Sequence, residues 1–119
     1  MGTVSGKGYL VRRLQDAPTV RSECGQSTRP LSYPETAVCN LHVTFITDSV
    51  KHYHRVCTEV YYILEGEGKM ELADDVIDVA PGMMIYIEPE TRHRLWSAVG
   101  VRTIVFGVPA LNSEDEHFD

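Results

Sequence analysis

The sequence predicts an all-β fold, a sandwich or a barrel. From residue 37 onward, short runs of β-branched and aromatic residues alternate with turn residues at intervals of about eight to twelve positions. No segment keeps the helical apolar period of about 3.6 residues over a long stretch. The chain has 119 residues, 43 % of them hydrophobic, which is enough for one packed core and too little for two domains.

Residues 1–36 read as an N-terminal arm packed on the barrel. Gly2, Gly6 and Gly8 loosen its start, 9–13 fits a short strand, and the Gly-, Ser-, Thr- and Pro-rich run 24–34 reads as a long loop. Residues 37–109 read as the barrel. A strand over 38–47 ends at Asp48-Ser49, and a second over 59–64 ends at Gly66 and Gly68. The runs 69–72 and 76–79 pair around Ala73-Asp74-Asp75. Pro81-Gly82 turns the chain into a strand over 83–87, and 89–91 bends it again. Two strands, 93–96 and 101–108, flank Val99-Gly100. Residues 110–119 form a tail. There Ser113 and Glu116 fit a capping box with Ser113 as the N-cap, so the tail is one helical turn or a frayed acidic end.

Composition narrows the function classes. The net charge is −6 and the pI about 5.3, so phosphate backbones are repelled and nucleic acid is not an expected partner. The basic runs Arg12-Arg13 and 92–94 are too short to offset this. No stretch approaches the length of a membrane span, and residues 1–16 carry no apolar signal core. The three cysteines, Cys24, Cys39 and Cys57, are odd in number and lack CxxC spacing. Reduced thiols in a cytoplasmic protein are expected.

The chemistry concentrates on histidine. His52 and His54 are two apart, so in a strand both imidazoles face one side. If 55–58 is a turn, Glu59 on the next strand can face the same interior, and His93 begins a later strand that could complete the ring. Three imidazoles and a carboxylate suit a divalent metal: Fe, Mn, Zn, Ni, Co or Cu. Four protein ligands in an octahedral site leave positions open, which separates a catalytic site from a closed structural one. A His-x-His pair alone is also common as plain surface.

The run His52-Tyr53-His54, four residues, Glu59, six residues, Gly66 resembles the first motif of the cupin superfamily. Pro81-Gly82 followed by Pro89-Glu90-Thr91-Arg92-His93 is similar to its second. The resemblance spans about residues 40–108 and is closest to small single-domain cupins. It implies a double-stranded β-helix, a jelly-roll barrel, with His52, His54, Glu59 and His93 as metal ligands. Four positions depart from the motifs: Ile46, Glu88 and Glu90, and Ser97 stand where a glycine, a proline and glycine, and an asparagine are usual. These are turn and support positions rather than ligands.

Other residues carry two readings each. Tyr61 should share the inward face of Glu59, and Tyr86 alternates with Met84. Tyr61 and Tyr86 are candidate proton donors or substrate contacts, against a plain core role. Phe45, Met70 and Met84 are candidate apolar substrate contacts, and Arg102 a candidate for an acidic one; lining and interface positions remain alternatives. Cys57 is a redox or metal-binding thiol, or a small buried hydrophobe. His42 and His117 have no partner at ligand spacing and read as incidental. Val60, Tyr62 and Leu64 should face outward yet are apolar, so another sheet, the arm or a second subunit must cover them.

The expected function is a metal-dependent enzyme acting on a small organic ligand in the barrel. Oxygenase-like chemistry is the first choice because a nitrogen-rich site with free positions suits Fe(II). Isomerase or decarboxylase activity, a binding or sensing barrel without turnover, and a barrel that keeps its metal for stability are the alternatives. Homodimerisation is implied by the resemblance and by the apolar outward strand.

Overall fold

The computed structural model describes residues 6–119. Its strands are β1 (Thr19–Ser22), β2 (Gly25–Leu31), β3 (Asn40–Asp48), β4 (Thr58–Glu65), β5 (Gly68–Leu72), β6 (Asp75–Val79), β7 (Met84–Ile87) and β8 (His93–Val108). They form one antiparallel sheet in the order β1-β2-β3-β8-β4-β7, with β5 on the first part of β8 and β6 beyond it. Among the described residues no helix is long and apolar enough to cross a membrane.

Strand alternation builds the interior. Glu59, Tyr61 and Ile63 of β4 are buried, while Tyr62 and Leu64 are exposed. Ile85 and Ile87 of β7 and Leu95, Val101 and Val105 of β8 join Ile46, Met70 and Val79 in the same apolar core. The period of two therefore puts the carboxylate of Glu59 on the same face as the core.

The run 93–108 is one continuous strand, yet its ladder partners fall on 93–96 and 101–108, the two segments the sequence marked. Residues 97–100 bulge out between them, and Gly100 there adopts φ +95. Its N–H donates to Ser97 Oγ (2.9 Å), and Ser97 Oγ donates to Glu67 O (2.6 Å). The Phe45 ring lies where a Cβ on Gly100 would be, so only glycine combines this φ with this contact.

The arm also departs from the sequence reading. Residues 9–13 form no strand, and most of 24–34 is β2, hydrogen-bonded to β3. The Ser22–Gly25 turn joins β1 to β2, with Cys24 N–H donating to Ser22 Oγ (3.2 Å). Polar alternation hid this strand, because its inward side chains Ser27 and Arg29 are hydrogen-bonded to each other rather than apolar. In the tail, Ser113–Asp115 is a single 3₁₀ turn. Its cap is Asn112, whose side chain accepts from Glu114 N–H, and not Ser113.

Candidate metal centre

Local backbone contacts bring the histidines together. His52 and His93 pair as an isolated antiparallel bridge, with N–H···O distances of 3.1 and 2.9 Å. His54 follows two residues on. The chain then turns through 55–57, where the Asp115 carboxylate accepts the N–H groups of Arg55 (2.9 Å), Val56 (3.1 Å) and Cys57 (2.9 Å). That turn delivers Glu59 at the start of β4. All four side chains are buried, and their donor atoms lie within 4.8 Å of one another.

The tautomers follow from the outer contacts. His52 Nδ1 bonds Val50 O (2.7 Å), His54 Nδ1 bonds Asp115 O (2.9 Å) and His93 Nδ1 bonds Thr91 O (2.9 Å). A carbonyl oxygen only accepts, so each Nδ1 must carry the proton. In the neutral rings each Nε2 then presents a lone pair to the centre. Glu59 Oε1 is 3.1 Å from His54 Nε2 and 3.3 Å from His93 Nε2. The second contact is not aligned as a hydrogen bond, and His93 Nε2 is buried without a partner. A buried nitrogen lone pair aimed at a carboxylate and two further imidazoles fits a divalent cation.

The electrostatics of the bare cluster agree. Burial works to raise the Glu59 carboxyl, but the hydrogen bond to His54 and the close approach and charge of His54 and His93 outweigh it and hold it well below the usual carboxylate range. Burial works to lower His54, but Glu59 and the Asp115 carbonyl outweigh it and leave it raised. A proton between His54 and Glu59 thus occupies the place a cation would take. Burial, then His93, lowers His52 to about 4, so its ring is neutral and free to ligate.

Beside the cluster lies a small, partly enclosed cavity of about 40 Å³, walled on one side by His52, Glu59 and Tyr61. Arg29 of β2, His42 of β3 and Cys24 and Glu116 also line it. Cys24 Sγ is 3.8 Å from His52 Nε2. A groove of about 540 Å³ lies against Gly8, Leu31 and Leu41, with no histidine in its wall.

The remaining sequence candidates divide. Tyr61 is inward, with its ring edge-on to His93 at 6.2 Å, and burial pushes its phenol well above the ordinary range. Tyr86 and Met84 point outward, each 59 % exposed, because Ile85 and Ile87 take the inward positions of β7. Neither reaches the cavity, which corrects the expectation of a catalytic Tyr86 and a substrate-binding Met84. Phe45 is on the outer face against Gly100, and Arg102 faces outward beside Glu65 (3.9 Å). Met70 is wholly buried in the apolar core instead of on the cavity wall. Cys57 is buried at the 55–57 turn, its thiol pushed up to about 12 by burial and then by Glu59.

Sequence reasoning missed Cys24, Arg29, His42 and Glu116. Only His42 had a visible signal: it falls at an inward position of β3, two before Thr44 and four before Ile46.

The family model of the cupin domain matches residues 42–106. The chain belongs to the cupin domain family. An uncharacterised protein of Methanocaldococcus jannaschii is 36 % identical over 66 residues, covering 54 % of this chain and 53 % of that protein. The chain thus spans about half the length of the curated relative it matches. Among solved structures, a protein from Planctomyces limnophilus superposes with a TM-score of 0.84 at 26 % identity, covering 92 % of this chain and 96 % of that one. Ectoine synthase from P. lautus superposes with a TM-score of 0.77 at 20 % identity, over 92 % and 88 %. At that identity the likeness shows the fold alone. The rolled sheet is accordingly a cupin jelly-roll barrel, and His52, His54, Glu59 and His93 form a fully buried group of this cupin that could hold a metal, with Cys24, His52 and Glu116 a second, half-buried one.

Proposed function

We propose that this cupin binds one divalent metal through His52, His54, Glu59 and His93 and acts on a small organic substrate in the adjoining cavity. The observation that carries the reading is the set of three Nδ1–H···O=C bonds, which turn the three Nε2 atoms toward one cluster with Glu59 and leave His93 Nε2 buried without a partner. A bound metal supplies Lewis acidity and, if redox-active, electron transfer. Glu59 compensates its charge. Tyr61, neutral at physiological pH, offers a hydroxyl at the cavity wall, where it donates to substrate oxygen.

Oxygenase-type chemistry with Fe(II) is our first choice among the reactions, supported by the nitrogen-rich donor set. The unpaired cysteines support a reducing, cytoplasmic setting, and the apolar outer face supports a homodimer.

Elemental analysis of the chelated and reconstituted protein tests the site. We expect one metal per chain, lost in His52→Ala and His93→Ala with folding retained. Failure of Fe, Mn, Co, Ni, Zn and Cu alike to bind would overturn the reading. With metal bound, absence of O₂ uptake by the Fe(II) form across phenolic, thiol and diketone substrates would remove the oxygenase assignment alone.

A further inference from the structure

The cavity beside the metal ligands is not apolar, and its polar groups are unevenly satisfied. Arg29 projects from β2 into this wall. Its Nε donates to Ser27 Oγ (3.1 Å), and Ser27 is in turn held by Thr44 Oγ1 (3.2 Å). Among the described residues its two terminal nitrogens make no hydrogen bond. On the neighbouring strand His42 is 4 % exposed, and its Nε2 is buried without a partner. The unpartnered buried imidazole nitrogen is costly unless something fills the space beside it, and the half-buried guanidinium on the same cavity has donors to spare.

The charges say what that something is. The cavity wall carries Arg29 against Glu59 and Glu116. A divalent cation on the histidines leaves this enclosure with one positive charge uncompensated, so it suits a monoanion. The guanidinium is a planar fork that matches a carboxylate better than a spherical anion. The volume of about 40 Å³ admits on the order of three water-sized groups, the three heavy atoms of one carboxylate, so the rest of the guest is short and reaches out of the cavity toward the metal ligands.

We propose that this cupin takes a carboxylic acid of two or three carbons, with its carboxylate on Arg29 and its other oxygen toward the metal and His42. The inference rests on the metal reading above and names the substrate class of that site. Arg29 and His42 are binding residues in it, Arg29 for charge and His42 for the oxygen nearest the metal. Glu116 opposes any second negative charge and so selects against dianions.

Calorimetric titration of the Co(II)-loaded chain with glycolate and with its neutral isostere glycolamide tests the proposal, with metal content and the visible Co(II) spectrum recorded for each variant. Glycolate should bind and perturb the spectrum, and glycolamide should bind at least about 10-fold more weakly, as expected for a hydrogen-bonded charge contact. Arg29→Gln should weaken glycolate by about 10- to 100-fold with metal content unchanged. Arg29→Lys, which keeps the charge and serves if the Gln variant misfolds, should recover part of that loss. Equal binding of glycolate and glycolamide to metal-loaded protein, or full affinity in Arg29→Gln, would overturn the substrate class and leave the metal site standing. A chain that takes up no Co(II) overturns the metal reading and this inference with it.

Discussion

His42 shows how one buried side chain ties stability to pH. Burial, then the charge of Arg29, lowers it to about 4, against the ordinary value near 6.5. The folded chain therefore binds fewer protons than the unfolded chain between those values. Its contribution is complete above about pH 6.5 and is lost as pH falls toward 4. The loss is at most about 3.5 kcal/mol, from about 1.4 kcal/mol per pKa unit. His42→Leu should flatten the acid limb of a pH series of urea melts run in chelator, where metal does not contribute. His52 has a shift of the same sign, so part of the slope should remain. Identical slopes in both proteins would refute the assignment to His42. At this scale the four clustered side chains were legible and the cavity was not. His52 and His54 announce themselves by spacing. His42 gains its meaning only from Arg29, which lies on a strand that polar alternation disguised as loop.

Among the elements, the tail is the least legible and the most consequential for the site. Its sequence offered a capping motif on Ser113, whereas its structural role lies in Asp115. That carboxylate holds the turn between His54 and Glu59 through three N–H groups, while its carbonyl orients the His54 ring. Burial works to raise the Asp115 carboxyl, but these N–H bonds outweigh it and keep it ionised. His117 adds a backbone bridge to Tyr53, and Asp119 pairs with Arg92 at 2.9 Å. Local propensity could not announce contacts separated by about sixty residues in sequence. The barrel strands, whose apolar period is written locally, were legible from β3 onward, including the interruption of β8 at 97–100. Asp115→Ala should cost about 1–2 kcal/mol, since the freed N–H groups at this turn can reach water. It should also weaken metal binding, because the carbonyl and the Glu59 turn both shift. Asp115→Asn should retain much of both. A metal affinity unchanged in Asp115→Ala, measured by competition with a chelator, would detach the tail from the site.

For the whole molecule, the unresolved tension is the outer face of the β7-β4-β8 layer. The sequence already marked Val60, Tyr62 and Leu64 as apolar where a half-exposed strand should be polar. In the barrel their neighbours Met84, Tyr86 and Phe106 extend the same surface through register pairs such as Val60↔Tyr86 and Val60↔Phe106. Tyr86 and Met84 are each 59 % exposed and Tyr62 42 %, and among the described residues no element of the chain covers them. A contiguous apolar layer of this kind marks an interaction surface. A second copy of the chain, in the homodimer proposed above, would satisfy it by symmetry, because a twofold contact lays the same patch on itself. The metal site is insulated from this face, since Glu59 and Tyr61 alternate inward from the residues that form it. Tyr62→Lys and Tyr86→Lys should each weaken such a dimer by about 2–4 kcal/mol, as expected for central aromatic anchors, or about 30- to 1,000-fold in Kd. Light scattering should then show the dimer mass falling to that of one 13.4 kDa chain, with metal content unchanged. A wild-type chain that is monomeric at high micromolar concentration would refute the dimer, and loss of metal in the lysine variants would mean that the outer face and the site are not independent.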